Sequence, residues 1–402
     1  MTQQAECGEA RHLASVISTG GRQVLGRLAM GCLVVIVLLS GIEVVHRIRI
    51  AIRKNDASWL TYGWIRPTQL RTKWQDGYFK MQPGIYNIYD QGQNVRCNVR
   101  INSLGFRGAE IPAIKTGLRL LVGGGSATFG WPVSDQETFP AVLSELLHHD
   151  PQLTPVEVVN VGLCGLSTNH LVHLFPRELL PLMPDVLLLY IGFNDWQTVK
   201  LITQPTGIER LRNMLMRYSL VFVSATEKLQ LVRTGKIRDV AYDVRIKELA
   251  KRTLDDEVKW TSYRANLERI IAMCQAKDVQ LIFATEVVNL QPSAEAETVW
   301  HDAELWSPVY ARGRAELSEV AGRHGIPVID TAAVFDRMNR AGLFCAGDVV
   351  HQTAAGYRRL AQVLAEGLAP YLYQRENRLL DAHRHGGPGS FDVSSNTREE
   401  RW

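Results

Sequence analysis

The chain has 402 residues, which is long enough for one main domain with a large buried core and for extensions around it. Its 45 Lys and Arg against 41 Asp and Glu leave a formal charge of +4, and the basic residues are scattered along the sequence. This mild balance argues against nucleic acid as the main partner. The six cysteines form no Cys-x-x-Cys pair and no Cys/His spacing typical of zinc, so we predict no metal site, and nothing indicates an organic cofactor.

The N-terminal region begins with a polar segment, residues 1–27, and continues with an almost wholly apolar segment, residues 28–45. About 20 helical residues span a bilayer, so the apolar segment is barely long enough. We interpret it as a single transmembrane helix. The alternatives are a buried core helix and a cleaved signal peptide, although no A-x-A-like cleavage site is evident. Basic residues flank both ends and nearly cancel the charge bias, and we favour an extracytoplasmic main domain.

Residues 46–107 form a lead-in region that is rich in Trp, Tyr and Gly. Pro and Gly punctuation with alternating residues predicts short strands and turns that pack against the main domain. Near its end, Asn102–Gly108 reads as a structured loop before the first core strand. Arg107 in this loop is a candidate for binding an anionic substrate group, and structural hydrogen bonding is the alternative.

The main domain, residues 108–378, alternates short apolar runs with amphipathic segments. The predicted strands are Arg119–Val122, Val156–Val161, Val186–Ile191, Gln280–Thr285 and Pro327–Ile329. The predicted helices lie near Pro140–His149, Asn169–Leu180, Ser262–Ala276, Tyr310–His324 and Ala354–Tyr373. This alternation predicts an α/β fold with a parallel sheet and helices on both faces.

Two further segments interrupt or follow this pattern. Residues 197–259 are an insertion with basic amphipathic stretches, which we expect to be helical and to form either a lid or a decoration without a catalytic part. Residues 379–402 are polar and rich in Gly and charge, and we expect a disordered tail.

The first predicted core strand runs into three glycines and Ser126, and a helix pattern follows. Glycine lets the backbone turn sharply where a Cβ would clash. A serine at this corner projects its hydroxyl from the carboxyl end of the sheet, where open α/β sheets bind ligands. Ser126 is therefore a candidate nucleophile, and a simple helix cap is the alternative. Trp131, just beyond the turn, is a second candidate substrate-binding residue beside Arg107.

A serine nucleophile needs a base and a group that orients the base. Asp348 precedes His351 by three residues, just ahead of a predicted helix, so the carboxylate is within reach of the imidazole. The carboxylate would then hold the tautomer of the base and stabilise the imidazolium. The alternative is a turn-forming Asp beside a surface His.

Oxyanion donors are the remaining requirement of such a site. Gly165 follows the second predicted strand, where its N–H can point at an oxyanion. Asn194 follows the third strand, where its side-chain amide can donate a second bond. Each residue is, on its own, an ordinary member of a strand-end turn.

Ser126, Gly165, Asn194 and His351 occur in the order Ser, Gly, Asn, His, and from about Asn102 to Tyr373 the chain resembles the SGNH (GDSL-type) hydrolases. The resemblance implies a flavodoxin-like three-layer α/β/α fold. It also implies a Ser126–His351–Asp348 triad and an oxyanion hole made by the N–H groups of Ser126 and Gly165 and the Asn194 side chain. The chain departs from the usual Gly-Asp-Ser sequence of the family, because it has Gly124-Gly125-Ser126 here.

We therefore expect a membrane-anchored serine esterase that acts on O-acyl groups of a carbohydrate or a lipid. Water and sugar hydroxyls compete for one acyl-enzyme, so an O-acyltransferase acting on an envelope or exported polysaccharide is the first alternative. The second is a non-catalytic binding protein on the same fold.

Overall fold

The computed structural model describes residues 3–54, 57–60, 70, 72, 76–90, 95–115, 117–196, 211, 215, 219, 221–222, 225, 250–290, 306–346 and 348–384. Most of the predicted insertion and of the predicted tail therefore lies outside the described residues. The chain forms two compact units, which are Met1–Trp64 with Glu209–Val232, and Ile65–Ile208 with Arg233–Trp402.

The first unit is built on one long helix, α1 (Gln3–Lys54). Its segment Gly26–Arg53 is long and apolar enough to cross a membrane, and none of it is buried inside the protein. The predicted segment 28–45 lies within it. The only acidic side chain of this segment, Glu43, is paired with Arg47 one turn further on at 2.7 Å and accepts a hydrogen bond from the Ser219 hydroxyl at 2.8 Å.

The second unit holds a hairpin and a larger sheet with its helices. The strands are β1 (Gly84–Asp90), β2 (Val95–Ile101), β3 (Leu118–Gly124), β4 (Val156–Asn160), β5 (Val186–Ile191), β6 (Gln280–Thr285) and β7 (Val328–Ile329). The helices are α2 (Ser126–Phe129), α3 (Phe139–His148), α4 (Thr168–Leu174), α5 (Phe193–Trp196), α6 (Glu257–Gln275), α7 (Ser307–Arg323), α8 (Thr331–Asp336) and α9 (Ala354–Arg384).

The larger sheet is parallel and has the strand order β4-β3-β5-β6-β7. Crossovers between parallel strands are right-handed. The chain moves in one direction along the sheet from β3 to β4 and in the other direction from β4 through β5 and β6 to β7. Helix α3 therefore lies on one face of the sheet, and α4, α6 and α7 lie on the other. This is the flavodoxin-like order, and it confirms the predicted three-layer α/β/α fold. The carboxyl ends of β3 and β5 meet at the point where the strand order reverses, which is where such folds bind ligands.

The centre of the sheet is its most buried part. Every residue of β3 and of β5 is buried, as expected for parallel strands covered on both faces. The four consecutive residues from Leu187 to Tyr190 have no exposed surface. Each fully buried leucine contributes about 1.5–3 kcal/mol, so this centre fixes the two strand ends that matter most for the site.

The predicted strands match those of the sheet closely, whereas three helices differ from the prediction by more than three residues at one end. Helix α6 begins at Glu257, five residues before the predicted start at Ser262. The predicted helix Asn169–Leu180 leaves the α-helical pattern after Leu174, where a π-helical turn begins and Pro176 has no N–H to continue the ladder. The final helix continues to Arg384. The expected boundary of the disordered tail at 379 is therefore wrong, because residues 379–384 are helical.

The lead-in region contains the short strands that were predicted, β1 and β2, paired as an antiparallel hairpin. The hairpin is hydrogen-bonded to the turn that follows α2. The Arg100 N–H donates to Asp135 at 3.0 Å, and the Asn98 N–H donates to Ser134 at 3.3 Å. Helix α2 carries Ser126 at its first position.

Candidate active site

Ser126 lies at the first position of α2, immediately after β3, and is half-buried. The turn requires small residues because the chain passes very close to its neighbours. A Cβ on Gly124 would lie 2.2 Å from the carbonyl oxygen of Tyr190, and a Cβ on Gly125 would lie 2.4 Å from Nδ2 of Asn194. The glycines thus let the serine turn sit directly against the end of β5.

The predicted base and its partner lie together beside this serine. The Nε2 atom of His351 is 2.8 Å from Oγ of Ser126, and its Nδ1 atom is 2.7 Å from Oδ2 of Asp348. With the proton on Nδ1, the imidazole donates to the carboxylate and leaves Nε2 to accept from the serine hydroxyl. This is the tautomer that a general base requires.

The carboxylate of Asp348 is itself held in place by backbone groups. Its Oδ1 atom accepts hydrogen bonds from the N–H groups of Val350 and His351, each at 2.9 Å. Burial by itself raises the pKa of Asp348, but the facing imidazole and these hydrogen bonds outweigh it and hold the pKa below its ordinary value. The carboxylate therefore stays charged at neutral pH, ready to stabilise an imidazolium.

Of the two predicted oxyanion residues, Asn194 contacts the serine turn directly, and Gly165 directly precedes the residue to which Asn194 donates. Asn194 donates from Nδ2 to the carbonyl oxygen of Leu166 at 2.8 Å, and its amide covers Gly125. Gly165, with φ +85°, precedes Leu166 in the left-handed conformation that favours glycine. The loops that carry Gly165 and Asn194 are thus joined at the residue before Ser126.

Arg107 and Trp131 differ in what their positions permit. Arg107 is only 3% exposed and donates to Asp135 at 2.8 Å and to three backbone carbonyls. These bonds are those of the structural alternative, because the guanidinium of Arg107 is committed to holding the turn after α2. Trp131 is partly exposed, and its carbonyl accepts from the Tyr357 hydroxyl at 2.6 Å. Its side chain remains a candidate for contact with a substrate.

Asp195 is a structural participant that the sequence did not single out, although it directly follows Asn194. Its carboxylate accepts from the Thr168 backbone N–H at 3.0 Å and from the Thr168 hydroxyl at 2.6 Å, which caps the start of α4. Desolvation raises the pKa of Asp195 to about 6, against the opposing effect of these bonds and of Lys259. Lys259 donates to the carbonyl of Trp196, and burial lowers its pKa to about 8.

Glu286 is a second buried carboxyl group near the site, and it was also not predicted. It is 2% exposed and accepts the Phe193 backbone N–H at 2.7 Å. Desolvation raises its pKa to about 8, opposed by the Phe193 N–H and by His351. Its place directly after the predicted strand Gln280–Thr285 was the available signal, since polar groups at that edge of a parallel sheet face the ligand site.

No cluster of three or more His, Cys, Asp or Glu suited to a metal ion occurs in the part of the chain that the structure describes.

A serine hydroxyl linked through an imidazole to a carboxylate, at the carboxyl edge of a parallel sheet, is the arrangement of a serine hydrolase. The model of the GDSL-like Lipase/Acylhydrolase family matches residues 122–359, which is more than half of the chain. The chain belongs to this family, and it is a hydrolase of ester bonds.

Solved structures with a similar fold include a lipase/acylhydrolase from Enterococcus faecalis, at 16% identity and a TM-score of 0.40, covering 62% of this chain and 95% of that one. An acetylxylan esterase from Geobacillus stearothermophilus is similar at 18% identity and a TM-score of 0.39, covering 64% and 96%. A sequence search of characterised proteins gives no match.

Proposed function

We propose that the chain is a serine ester hydrolase with Ser126 as nucleophile, His351 as general base and Asp348 as the partner of the base. The unbroken series of hydrogen bonds from the Ser126 hydroxyl through His351 to Asp348, at 2.8 and 2.7 Å, is the observation that carries this proposal. Both distances lie within the range needed for direct proton transfer.

Acylation follows from these positions. His351 takes the hydroxyl proton at Nε2 while the oxygen of Ser126 bonds to the ester carbonyl carbon. The resulting imidazolium is stabilised by the charged Asp348. Collapse of the tetrahedral intermediate breaks the bond to the alcohol, which takes the proton from His351 as it leaves.

Deacylation repeats the sequence with water as the nucleophile. His351 removes a proton from water, whose oxygen attacks the acyl carbon, and then returns the proton to Ser126. In both steps the negative charge grows on the carbonyl oxygen. The N–H groups of Ser126 and Gly165 and the amide of Asn194 are proposed to stabilise this charge, at about 2.7–4 kcal/mol for one such donor.

Loss of the nucleophile tests the assignment most directly. Ser126→Ala is expected to lower kcat for p-nitrophenyl acetate by at least about 10⁴-fold and to abolish labelling by a fluorophosphonate probe. Ser144→Ala, on helix α3, serves as the matched control and is expected to keep both. Full activity and full labelling of the Ser126→Ala protein would contradict the proposal.

The substrate is proposed to be an O-acyl ester of a carbohydrate or a lipid. The partly exposed Trp131 ring beside the nucleophile turn supports such a substrate, since an aromatic face packs against a sugar ring or an acyl chain. A panel of acetyl, butyryl and longer esters, with and without a glycan acceptor, distinguishes hydrolysis from acyl transfer. Transfer of the acyl group to the glycan at the expense of free acid would identify an acyltransferase instead.

We further propose that residues 28–45 anchor the chain in a membrane, with the catalytic domain outside the cytoplasm. The apolar side chains from Val34 to Leu39, each 50–61% exposed, support contact with lipid. In a Cys7→Ser background, Ile114→Cys places a thiol at a position that is 80% exposed. We expect a membrane-impermeant maleimide to label it in intact cells, and labelling only after lysis would refute the orientation.

A further inference from the structure

Glu286 connects the end of β6 to the turn that presents Asn194. In the sheet register Thr285, the last residue of β6, pairs with Ile191, the last residue of β5. The chain then continues on both strands, so that Glu286 comes to lie beside the Gly192 turn. Its Oε2 atom accepts the N–H of Phe193, the residue before Asn194, at 2.7 Å.

The residues after Glu286 make two further contacts, one to strand β5 and one to the loop that carries His351. The N–H of Val287 donates to the Tyr190 hydroxyl at 2.8 Å, which fixes the segment to β5. The N–H of Asn289 donates at 2.7 Å to the carbonyl of Val349, which lies between Asp348 and His351 in the loop that carries the base. Residues 286–289 therefore connect the turn that presents Asn194 to the loop that carries His351.

The turn that presents Asn194 is tightly packed as well as hydrogen-bonded. Gly192 has φ +144°, and a Cβ there would lie 2.2 Å from the Trp196 ring. The amide of Asn194 lies over Gly125, so a shift of the turn moves the donor relative to Ser126. A displacement of about 1 Å in a catalytic group is enough to cost about 100-fold in rate.

We propose that Glu286 is a positioning residue, which holds the amide of Asn194 in register with Ser126 by accepting the Phe193 N–H. The assignment rests on the function proposed above and adds to it a residue that does not touch the substrate. The essential property of Glu286 is its acceptor oxygen, which a neutral carboxyl group also supplies.

Burial has the largest effect on the charge of Glu286, and four titratable groups also face it. These are Asp195 on α5, His351 on the base loop, Tyr190 on β5 and Tyr263 on α6. Since burial raises the pKa of Glu286 to about 8, the group is largely neutral at pH 7. Above pH 8 a negative charge forms beside the turn that presents Asn194, where it opposes the charge that grows on the substrate.

Two variants separate the acceptor from the charge. Glu286→Leu removes the acceptor and is expected to lower kcat for p-nitrophenyl acetate by about 10–100-fold, with KM changed less than about twofold. Glu286→Gln keeps a carbonyl acceptor and is expected to retain kcat at pH 7 within about threefold. Its activity is expected not to fall above pH 8, whereas that of the unmodified protein does. Glu316→Leu removes a comparably buried carboxylate that binds Arg264, and is the matched control for loss of stability.

A double variant tests whether Glu286 acts through Asn194. Asn194→Ala alone is expected to lower kcat by about 10²–10³-fold, and adding Glu286→Leu is expected to lower it less than about threefold further. Losses that multiply, or a folded Glu286→Leu protein with unchanged kcat, would overturn the inference. If Glu286→Leu does not fold, a loss of more than about 30-fold in Glu286→Gln at pH 7 would overturn it as well. An active Ser126→Ala protein would instead refute the proposed function.

Discussion

Replacing Gly125 with alanine is expected to separate activity from stability. Gly125 has φ −79° and ψ −151°, which is extended backbone outside the left-handed region that favours glycine. The new Cβ would meet Nδ2 of Asn194 at 2.4 Å, and the next contacts are at 3.6 and 3.8 Å. Only the end of one side chain has to move, and the loss of its hydrogen bond to the Leu166 carbonyl costs about 0.5–1.5 kcal/mol.

The displaced group is, however, the proposed oxyanion donor. Ordinary contacts are about 3.5–4 Å long, so the amide must move by about 1 Å or rotate away from Ser126. Loss of one such donor costs about 2.7–4 kcal/mol, which corresponds to a fall of about 10²–10³-fold in kcat. The free energy of unfolding is expected to change by less than about 1.5 kcal/mol.

The assay compares kcat and KM for p-nitrophenyl acetate with the midpoint of urea unfolding in the same preparation. Gly322→Ala is the control, since a Cβ at that helical position meets nothing within 4 Å and is expected to raise stability by about 0.5–1 kcal/mol without affecting kcat. A Gly125→Ala protein with kcat within threefold of the unmodified chain would show that the Asn194 amide is not a donor to the oxyanion.

Three other changes have equally definite outcomes. Asp348→Asn is expected to lower kcat by about 10⁴-fold, because the orientation and tautomer of His351 are lost; steady-state kinetics measures it, and a loss below tenfold would contradict the assignment. Arg107→Met is expected to lower the free energy of unfolding by about 3 kcal/mol, since Asp135 and three carbonyls lose their donor, whereas KM stays constant. Denaturant unfolding and kinetics on the same samples check both parts, and a raised KM at full stability would restore the binding role. The raised pKa of Glu286 means that the folded state holds its proton more tightly, so stability falls as pH rises from 4.5 to about 8. Urea unfolding across that window is expected to show a shallower fall for Glu286→Gln, and identical slopes would refute the shift.

The sheet was predictable because its strands are short, continuous apolar runs bounded by turn residues. Val186–Ile191 and Gln280–Thr285 have the bounds that the sequence predicted, since both strands are buried on both faces and end at polar or glycine residues. The last helix was harder, because its apolar periodicity weakens well before its end at Arg384. In that region the Thr154 N–H donates a hydrogen bond to Glu376 on the helix. Such tertiary contacts cannot be read from the periodicity of the sequence.

The site was predictable as a set of residues and less so as an arrangement. Strand-end positions and chain order singled out Ser126, Asn194 and His351, but the distances among them depend on how the strands align. Glu286 was missed because burial of a carboxyl group is a property of tertiary packing rather than of local sequence. Both roles of Arg107 stayed open for the same reason, since the sequence does not show whether a guanidinium in a loop faces solvent or is enclosed by backbone carbonyls.

The Lys259 side chain donates a hydrogen bond to the carbonyl of Trp196, so the two ends of the predicted insertion, residues 197–259, lie close together. Closing a loop at its stem makes its length matter little, because each doubling of length adds only about 0.6 kcal/mol of closure entropy. A change in the number of residues between Trp196 and Lys259 is therefore expected to cost the catalytic unit little closure entropy.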